Sequence, residues 1–158
     1  MHQFLKGNCT HMLFWDSDIE ATPDDALSLL TLADPESDKD VVCGLYPKKD
    51  LSGTLVFTGT YNPEDPFEVS ECGTGFMLIQ RRVFEQFAKA YPDLAYTSDQ
   101  DDKGRIIACF DTFIEDGRYL SEDYNFCRLI RKIGLKVWVA PWLRLNHLGH
   151  YKFTPRRL

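Results

Sequence analysis

Short apolar runs alternate with amphipathic segments along this chain, and that alternation limits its possible folds more than any other feature. Four runs have the length and composition of buried strands, at 11–15, 41–46, 76–79 and 136–140. Three segments carry apolar residues at helical spacing: one that opens at Thr22-Pro23 and stops at Asp34, one at 82–90, and one between Ser121 and Gly134. Strands that alternate with helices indicate the α/β class with a largely parallel sheet.

Length and charge narrow the classes of protein further. The chain has 158 residues, which is enough for one domain with its own core. Its formal net charge is −6, whereas a general nucleic-acid-binding protein carries a basic face. No apolar run approaches the ~18 residues of a transmembrane helix, and residues 1–10 lack the apolar stretch of a signal peptide. We therefore expect one cytoplasmic domain, residues 1–158, with no nucleic-acid partner and no transmembrane segment.

The cysteines predict neither a zinc site nor a disulfide framework. There are five of them, an odd number, and no two form a C-x-x-C pair. Each lies in an apolar stretch, which favours buried free thiols in a reducing compartment. The cysteines are Cys9, Cys43, Cys72, Cys109 and Cys127.

An acidic pair, Asp16-Ser17-Asp18, directly follows the first apolar run. Ligands of open α/β sheets bind beyond the carboxyl ends of the strands. Two carboxylates on one turn can share a hard cation such as Mg²⁺ or Mn²⁺, which can neutralise a leaving diphosphate. The alternative is an acidic turn that complements the dipole of the following helix. From these residues alone the two interpretations are nearly balanced.

A glycine turn, Gly73-Thr74-Gly75, precedes the third strand. Glycine allows the backbone to approach a ligand closely. A single Gly-x-Gly is weak support for a binding site, and taken alone a tight turn into the strand explains it better.

Two further segments contain groups that could take part in catalysis. Glu122 and Asp123 stand in the first turn of the last helix, where a carboxylate could act as a general base or could simply complement the helix dipole. His147 follows a late strand-like run, where a neutral imidazole could complete a metal's coordination shell.

Together these segments resemble the GT-A class of nucleotide-sugar-dependent glycosyltransferases, in particular family-two-like enzymes of bacteria and phages. The segments that carry the resemblance occur in the expected order: 12–19 with Asp-x-Asp, 72–79 with Gly-x-Gly-Phe, 119–127 with Glu-Asp, and 136–141 followed by 145–149. It extends from His11 to Phe153. It implies a GT-A-like (Rossmann-like) fold, with a mixed, mostly parallel sheet flanked by helices.

The resemblance also implies a metal site and a donor site. Asp18 and His147 would bind Mn²⁺, or Mg²⁺ in its place. The donor, a nucleotide-diphosphate sugar, would be contacted by Asp16 and by the glycine turn at Gly73, Thr74 and Gly75.

The implied reaction is transfer of the sugar to a hydroxyl group of a glycan, a lipid-linked acceptor or a protein. Asp123 would deprotonate that hydroxyl, with Glu122 as an acceptor contact. A single base opposite a metal-bound diphosphate favours inversion, and retention stays open.

In this class, earlier βα units bind the nucleotide, whereas here only a few residues precede the Asp-x-Asp strand. We therefore expect an amino-terminally truncated form, the catalytic half of a GT-A fold. The alternative is a non-catalytic or split-site remnant that binds carbohydrate or nucleotide together with a partner chain or a second copy.

Overall fold

The computed structural model describes residues 1–98 and 101–155, and at residues 98 and 101–105 it describes the backbone alone. Within that part of the chain there are four α-helices: α1 (His2–Lys6), α2 (Pro23–Leu32), α3 (Arg81–Ala90) and α4 (Glu122–Lys132). A single 3₁₀ turn covers Pro92–Leu94. The three helices predicted from apolar spacing are confirmed. None of the described helices is both long and apolar enough to cross a membrane.

The strands divide into one central sheet and several small ones. The central sheet holds β1 (His11–Trp15), β3 (Val41–Leu45), β5 (Phe67–Val69), β7 (Phe76–Gln80) and β12 (Val137–Arg144). The short strands are β2 (Ile19–Glu20), β4 (Phe57–Thr58), β6 (Glu71–Cys72), β8 (Ala95–Ser98), β9 (Asp101–Ile107), β10 (Phe113–Glu115), β11 (Arg118–Leu120), β13 (Asn146–Leu148) and β14 (Lys152–Phe153).

The predicted fold class, a GT-A-like and mostly parallel sheet flanked by helices, is wrong. The order of the central sheet is β1-β7-β3-β12-β5, and only β3 and β12 are parallel neighbours. The other three pairings are antiparallel, as are all the pairings of the small sheets in the described chain. The molecule is therefore rich in antiparallel strands, with one mixed sheet and few helices.

The physical reason lies in β7. Helix α2 connects β1 to β3, and these two strands run in the same direction, as a crossover connection requires. They are not neighbours, because β7 lies between them and pairs antiparallel with both. Strand β7 is reached through the short strands β4, β5 and β6 and not through a helix, so it is free to enter the sheet in the opposite direction.

The core lies on both faces of the central sheet. Alternate residues of β7 point to opposite faces, as the pleat of a strand requires. Met77 and Ile79 belong to a cluster that includes Phe84, Phe87 and Phe126 from α3 and α4. Phe76 and Leu78 belong to a second cluster with Leu29 from α2.

The prediction of free cysteine thiols is confirmed. Four of the five are buried and Cys9 is exposed. The prediction that every cysteine is buried is therefore wrong at Cys9, which follows α1 beside an exposed turn.

Candidate functional site

The acidic turn and the glycine turn lie side by side. Strands β1 and β7 pair antiparallel with Trp15 opposite Phe76, so the residue after β1 meets the residue before β7. The Asp16 N–H donates a hydrogen bond of 2.9 Å to the Gly75 carbonyl. The Trp15 indole N–H donates to the Ile19 carbonyl at 3.0 Å and so closes the turn that holds Asp16 and Asp18. The sheet register therefore brings together two motifs that are 55 or more residues apart in sequence.

Asp18 and His147 meet through the small sheet β14-β13-β2. In that sheet His147 pairs with Ile19, and the Leu148 N–H donates to the Asp18 carbonyl at 2.7 Å. The His147 Nε2 atom then lies 3.6 Å from the Asp18 Oδ1 atom. The two predicted metal ligands are adjacent, each on backbone that is fixed by strand pairing.

The contact of the Nδ1 atom of His147 shows which ring nitrogen carries the hydrogen when the ring is neutral. The Nδ1 atom lies 2.9 Å from the Pro47 carbonyl oxygen. A carbonyl only accepts, so Nδ1 carries the hydrogen and donates. In the neutral ring, Nε2 therefore presents a lone pair toward the Asp18 carboxylate. A histidine that donates one N–H to a backbone carbonyl and offers its other nitrogen is the usual arrangement of a metal ligand.

One short stretch of chain, residues 46–49, contacts the glycine turn at Gly75, His147 and Asp18. The Tyr46 hydroxyl accepts a hydrogen bond of 2.9 Å from the Gly75 N–H, and its ring lies edge-on to the His147 ring with centroids 5.5 Å apart. The Pro47 carbonyl oxygen accepts the hydrogen bond from His147 Nδ1. The Lys49 Nζ atom lies 2.5 Å from Asp18 Oδ2. This hydrogen bond holds the pKa of Asp18 below its ordinary value.

The glycine turn is shaped by Tyr46. A Cβ at Gly73 would lie 2.2 Å from the Tyr46 hydroxyl oxygen, and a Cβ at Gly75 would lie 2.7 Å from Tyr46 Cζ. Burial, more than any nearby charge, raises the pKa of Tyr46 far above its usual range, so the phenol is neutral. Gly73 and Gly75 are thus required by packing against a buried tyrosine, whereas Thr74 between them is half-buried and reaches the surface.

Asp123 is half-buried in the first turn of α4, whereas Glu122 beside it is exposed. Oδ1 of Asp123 accepts hydrogen bonds from the Ser121 hydroxyl and from the Tyr124 N–H. Within the described residues nothing donates to its Oδ2. Glu122 is exposed and makes no hydrogen bond or ion pair with any described residue.

A buried ion cluster connects the glycine turn to α4. Glu71, two residues before Gly73, is fully buried. It accepts two hydrogen bonds from Arg118, at 3.0 and 2.8 Å, one from Arg128 at 2.6 Å and one from Thr58 at 2.8 Å. Since Arg128 belongs to α4, the cluster fixes the glycine turn relative to the helix that carries Asp123.

The residues suit a metal ion only if a substrate supplies further ligands. No group of three or more His, Cys, Asp or Glu side chains converges anywhere in the described chain. Asp18 and His147 offer one carboxylate and one imidazole. Mg²⁺ and related ions are commonly bound by one or two carboxylates together with substrate phosphates and water. The pair therefore fits a cation that arrives with a diphosphate.

Comparison with known proteins supports the fold and leaves the function untested. No protein-family model matches the chain, and no curated protein sequence matches it. Among solved structures, the crystal structure of A197 from STIV is similar, with a TM-score of 0.53 and 17% sequence identity. The match covers 99% of this chain and 71% of that one. At this identity the likeness concerns the fold alone, and the resemblance to glycosyltransferases stays a prediction.

Two residues of the site were missed by sequence reasoning, Tyr46 and Lys49. Both follow strand β3, so the rule that ligands gather beyond strand ends, which selected Asp16, applies equally to them. Tyr46 is the last residue of the run 41–46, which predicts a strand and no ligand contact, and Lys49 stands in a polar loop without a motif.

Proposed function

We propose that this chain is a metal-dependent glycosyltransferase of the cytoplasm. In this proposal it transfers a sugar from a nucleotide-diphosphate sugar to a hydroxyl acceptor, with inversion. The observation that carries the proposal is the adjacency of Asp18 and His147, whose Oδ1 and Nε2 atoms lie 3.6 Å apart. A carboxylate and an imidazole this close together can share a divalent cation.

The proposed roles follow from the contacts of each residue. Asp18 and His147 would hold Mn²⁺ or Mg²⁺, and the bound ion would neutralise charge on the diphosphate leaving group. Asp16 is exposed and Thr74 half-buried on the two adjoining turns, where the donor sugar would bind. Gly73 and Gly75 keep those turns close together through Tyr46.

Asp123 would take the proton of the acceptor hydroxyl. Its Oδ1 is held by Ser121 and Tyr124, which orients Oδ2 toward an incoming group. Glu122, one residue earlier and exposed, would contact the acceptor from the side of solvent. The acceptor can be a glycan, a lipid-linked molecule or a protein, since nothing in these contacts selects among them.

The proposal is tested by measuring nucleoside-diphosphate release from a panel of nucleotide-diphosphate sugars with Mn²⁺ and with chelator. We expect release that depends on Mn²⁺. Asp18→Ala should lower it by at least about 100-fold, the scale on which loss of one group that stabilises developing charge acts. His147→Gln should lower it as well.

His150 provides the matched control. It lies three residues from His147 but is exposed and makes no contact with Asp18. His150→Gln should leave release unchanged. Turnover that survives Asp18→Ala, or that responds equally to His147→Gln and His150→Gln, would show that the metal site is assigned to the wrong residues.

A second candidate is a non-catalytic remnant that binds a nucleotide or a carbohydrate with a partner chain or a second copy. The observation in its favour is the ammonium of Lys49, which already neutralises Asp18 without a metal ion. Donor binding that is independent of Mn²⁺ and unaccompanied by turnover would favour this candidate.

A further inference from the structure

We propose that Lys49 competes with the divalent cation for Asp18 and thereby sets the affinity of the metal site. The inference rests on the proposed function, because it assumes that Asp18 and His147 bind a cation. It assigns a role to a residue that belongs to no motif. It also predicts that removing the positive charge of Lys49 tightens the binding of the divalent cation.

The geometry divides the Asp18 carboxylate between two neighbours. Oδ2 lies 2.5 Å from Lys49 Nζ, and Oδ1 lies 3.6 Å from His147 Nε2. A cation bound between Asp18 and His147 needs the charge of the carboxylate, which Lys49 already compensates. A metal ion and the ammonium therefore interact with the same negative charge, and each weakens the binding of the other.

The backbone holds Lys49 at this position. The Lys48 N–H donates to the Thr54 carbonyl at 2.8 Å, and the Val56 N–H donates to the Tyr46 carbonyl at 3.0 Å. Pro47 and Leu55 also form a β-bridge. The loop is thus closed on both sides of Pro47, and the Lys49 side chain starts from a fixed point next to Asp18.

The ion pair is accessible enough to exchange. The side chains of Lys49 and Asp18 are 43% and 38% exposed. Ion pairs at such exposure contribute little to folding, so water and dissolved ions can replace the ammonium at low cost. Glu71 differs from Asp18 in this respect, because its carboxylate is fully buried and would be left charged away from water if its arginine partners were replaced.

Lys48 supplies a matched control. It is adjacent to Lys49, exposed, and makes no contact with Asp18. Lys48→Gln and Lys49→Gln change the net charge of the protein equally, so any general effect of charge on cation binding appears in both. Only Lys49→Gln removes the direct partner of the carboxylate.

The experiment is a titration of the full chain with Mn²⁺ alone, in which free Mn²⁺ is followed by electron paramagnetic resonance. We expect Lys49→Gln to tighten binding about two- to fivefold, the range that corresponds to the strength of an exposed ion pair. Lys48→Gln should stay near wild type, and Asp18→Asn should abolish binding. Circular dichroism of each variant confirms that the fold is retained.

The outcomes separate this inference from the proposed function. If Lys49→Gln binds Mn²⁺ as the wild type does, or more weakly, the competition is refuted while the metal site stands. If Lys48→Gln tightens binding as much as Lys49→Gln, the effect is general and the inference also fails. If neither the wild type nor Lys49→Gln binds Mn²⁺, the proposed metal site itself is wrong, and the inference falls with it.

Discussion

The hydroxyl of Tyr46 accepts a hydrogen bond of 2.9 Å from the backbone N–H of Gly75, and both groups are buried. This contact connects the end of strand β3 to the glycine turn before β7. Through its ring, Tyr46 also supports the imidazole of His147. A single buried phenol therefore fixes the distance between the two sides of the candidate site.

Tyr46→Phe should destabilise the protein by about 1–2 kcal/mol. The substitution keeps the ring against His147 but leaves the Gly75 N–H buried without a partner, which costs the desolvation of that group. Urea denaturation gives the difference in the free energy of unfolding. Tyr151→Phe is the control, because Tyr151 is 72% exposed and its hydroxyl makes no hydrogen bond to a described residue. It should lie within ~0.5 kcal/mol of wild type. Equal effects of the two substitutions would contradict the role given to Tyr46.

Gly73→Ala should destabilise by roughly 1–3 kcal/mol, the usual cost of overpacking. The added Cβ would lie 2.2 Å from the Tyr46 hydroxyl oxygen and 2.7 Å from Val56 Cγ1, so neighbouring atoms must move. Gly7→Ala is the control, since its nearest neighbour would be the Phe4 carbonyl oxygen at 3.6 Å. The same denaturation series checks both variants.

A double-mutant cycle sharpens this prediction. Tyr46→Phe removes the hydroxyl oxygen, which is the atom nearest to the Cβ added by Gly73→Ala, while the contact with Val56 Cγ1 remains. The cost of Gly73→Ala should therefore shrink without vanishing, because residues in contact give non-additive effects. Strict additivity would mean that Tyr46 is not what excludes a side chain at Gly73.

Local structure was predictable from the sequence because local rules decide it. The second helix begins where Thr22 and Asp25 form a capping box, and both of its hydrogen bonds are present. The last helix ends before Gly134, which adopts a φ of 87° that favours glycine. The apolar run at 11–15 is a strand, and the run at 41–46 is a strand as far as Leu45.

Strand direction was not predictable in the same way. The period of an apolar run reports which residues are buried and carries no information on which strand lies next to which. The antiparallel entry of β7 between β1 and β3 depends on the path through β4, β5 and β6, short strands of two or three residues that leave almost no periodic signal.

The sequence indicated which residues would form the candidate site better than it indicated how the fold would place them. Asp16, Asp18, Gly75 and His147 were expected together, and the structure brings them together through pairings that no single motif contains. Lys49 and Tyr46 were not predicted because neither stands in a motif, and only the folded chain shows their contacts with Asp18 and Gly75.

Glu71→Gln should destabilise the protein by roughly 1–3 kcal/mol at neutral pH, because it replaces the charge-assisted hydrogen bonds that the buried carboxylate accepts from Arg118 and Arg128 by weaker neutral ones. Glu64→Gln is the control, since Glu64 is exposed and its side chain contacts no described residue. Chemical denaturation at pH 7 compares the two. A loss no greater than that of the control would contradict the buried ion cluster.

The effect of Glu71→Gln should also depend on pH. Burial would raise the pKa of Glu71, but hydrogen bonds from Arg118, Arg128 and Thr58 outweigh it and hold the pKa below its ordinary value of 4.5. A carboxyl group with a lowered folded-state pKa stabilises the fold above its unfolded-state pKa and loses that contribution as the pH falls through the folded value. The gap between wild type and Glu71→Gln should therefore be constant above about pH 5.5 and narrow below pH 4.5. A gap that widens in acid would reverse the assigned sign.

Asp123→Asn should slow sugar transfer strongly and leave Mn²⁺ binding intact. The amide cannot accept the proton of an acceptor hydroxyl, and loss of a general base lowers the rate by about 10²–10⁴-fold. The metal ligands lie on other elements, so the affinity for Mn²⁺ should match wild type in the same titration. Glu122→Gln, a neighbouring carboxylate on the exposed side of the helix, should reduce transfer by far less. A large loss in Glu122→Gln together with a small one in Asp123→Asn would move the base to Glu122. Loss of Mn²⁺ binding in Asp123→Asn would instead make Asp123 part of the metal site.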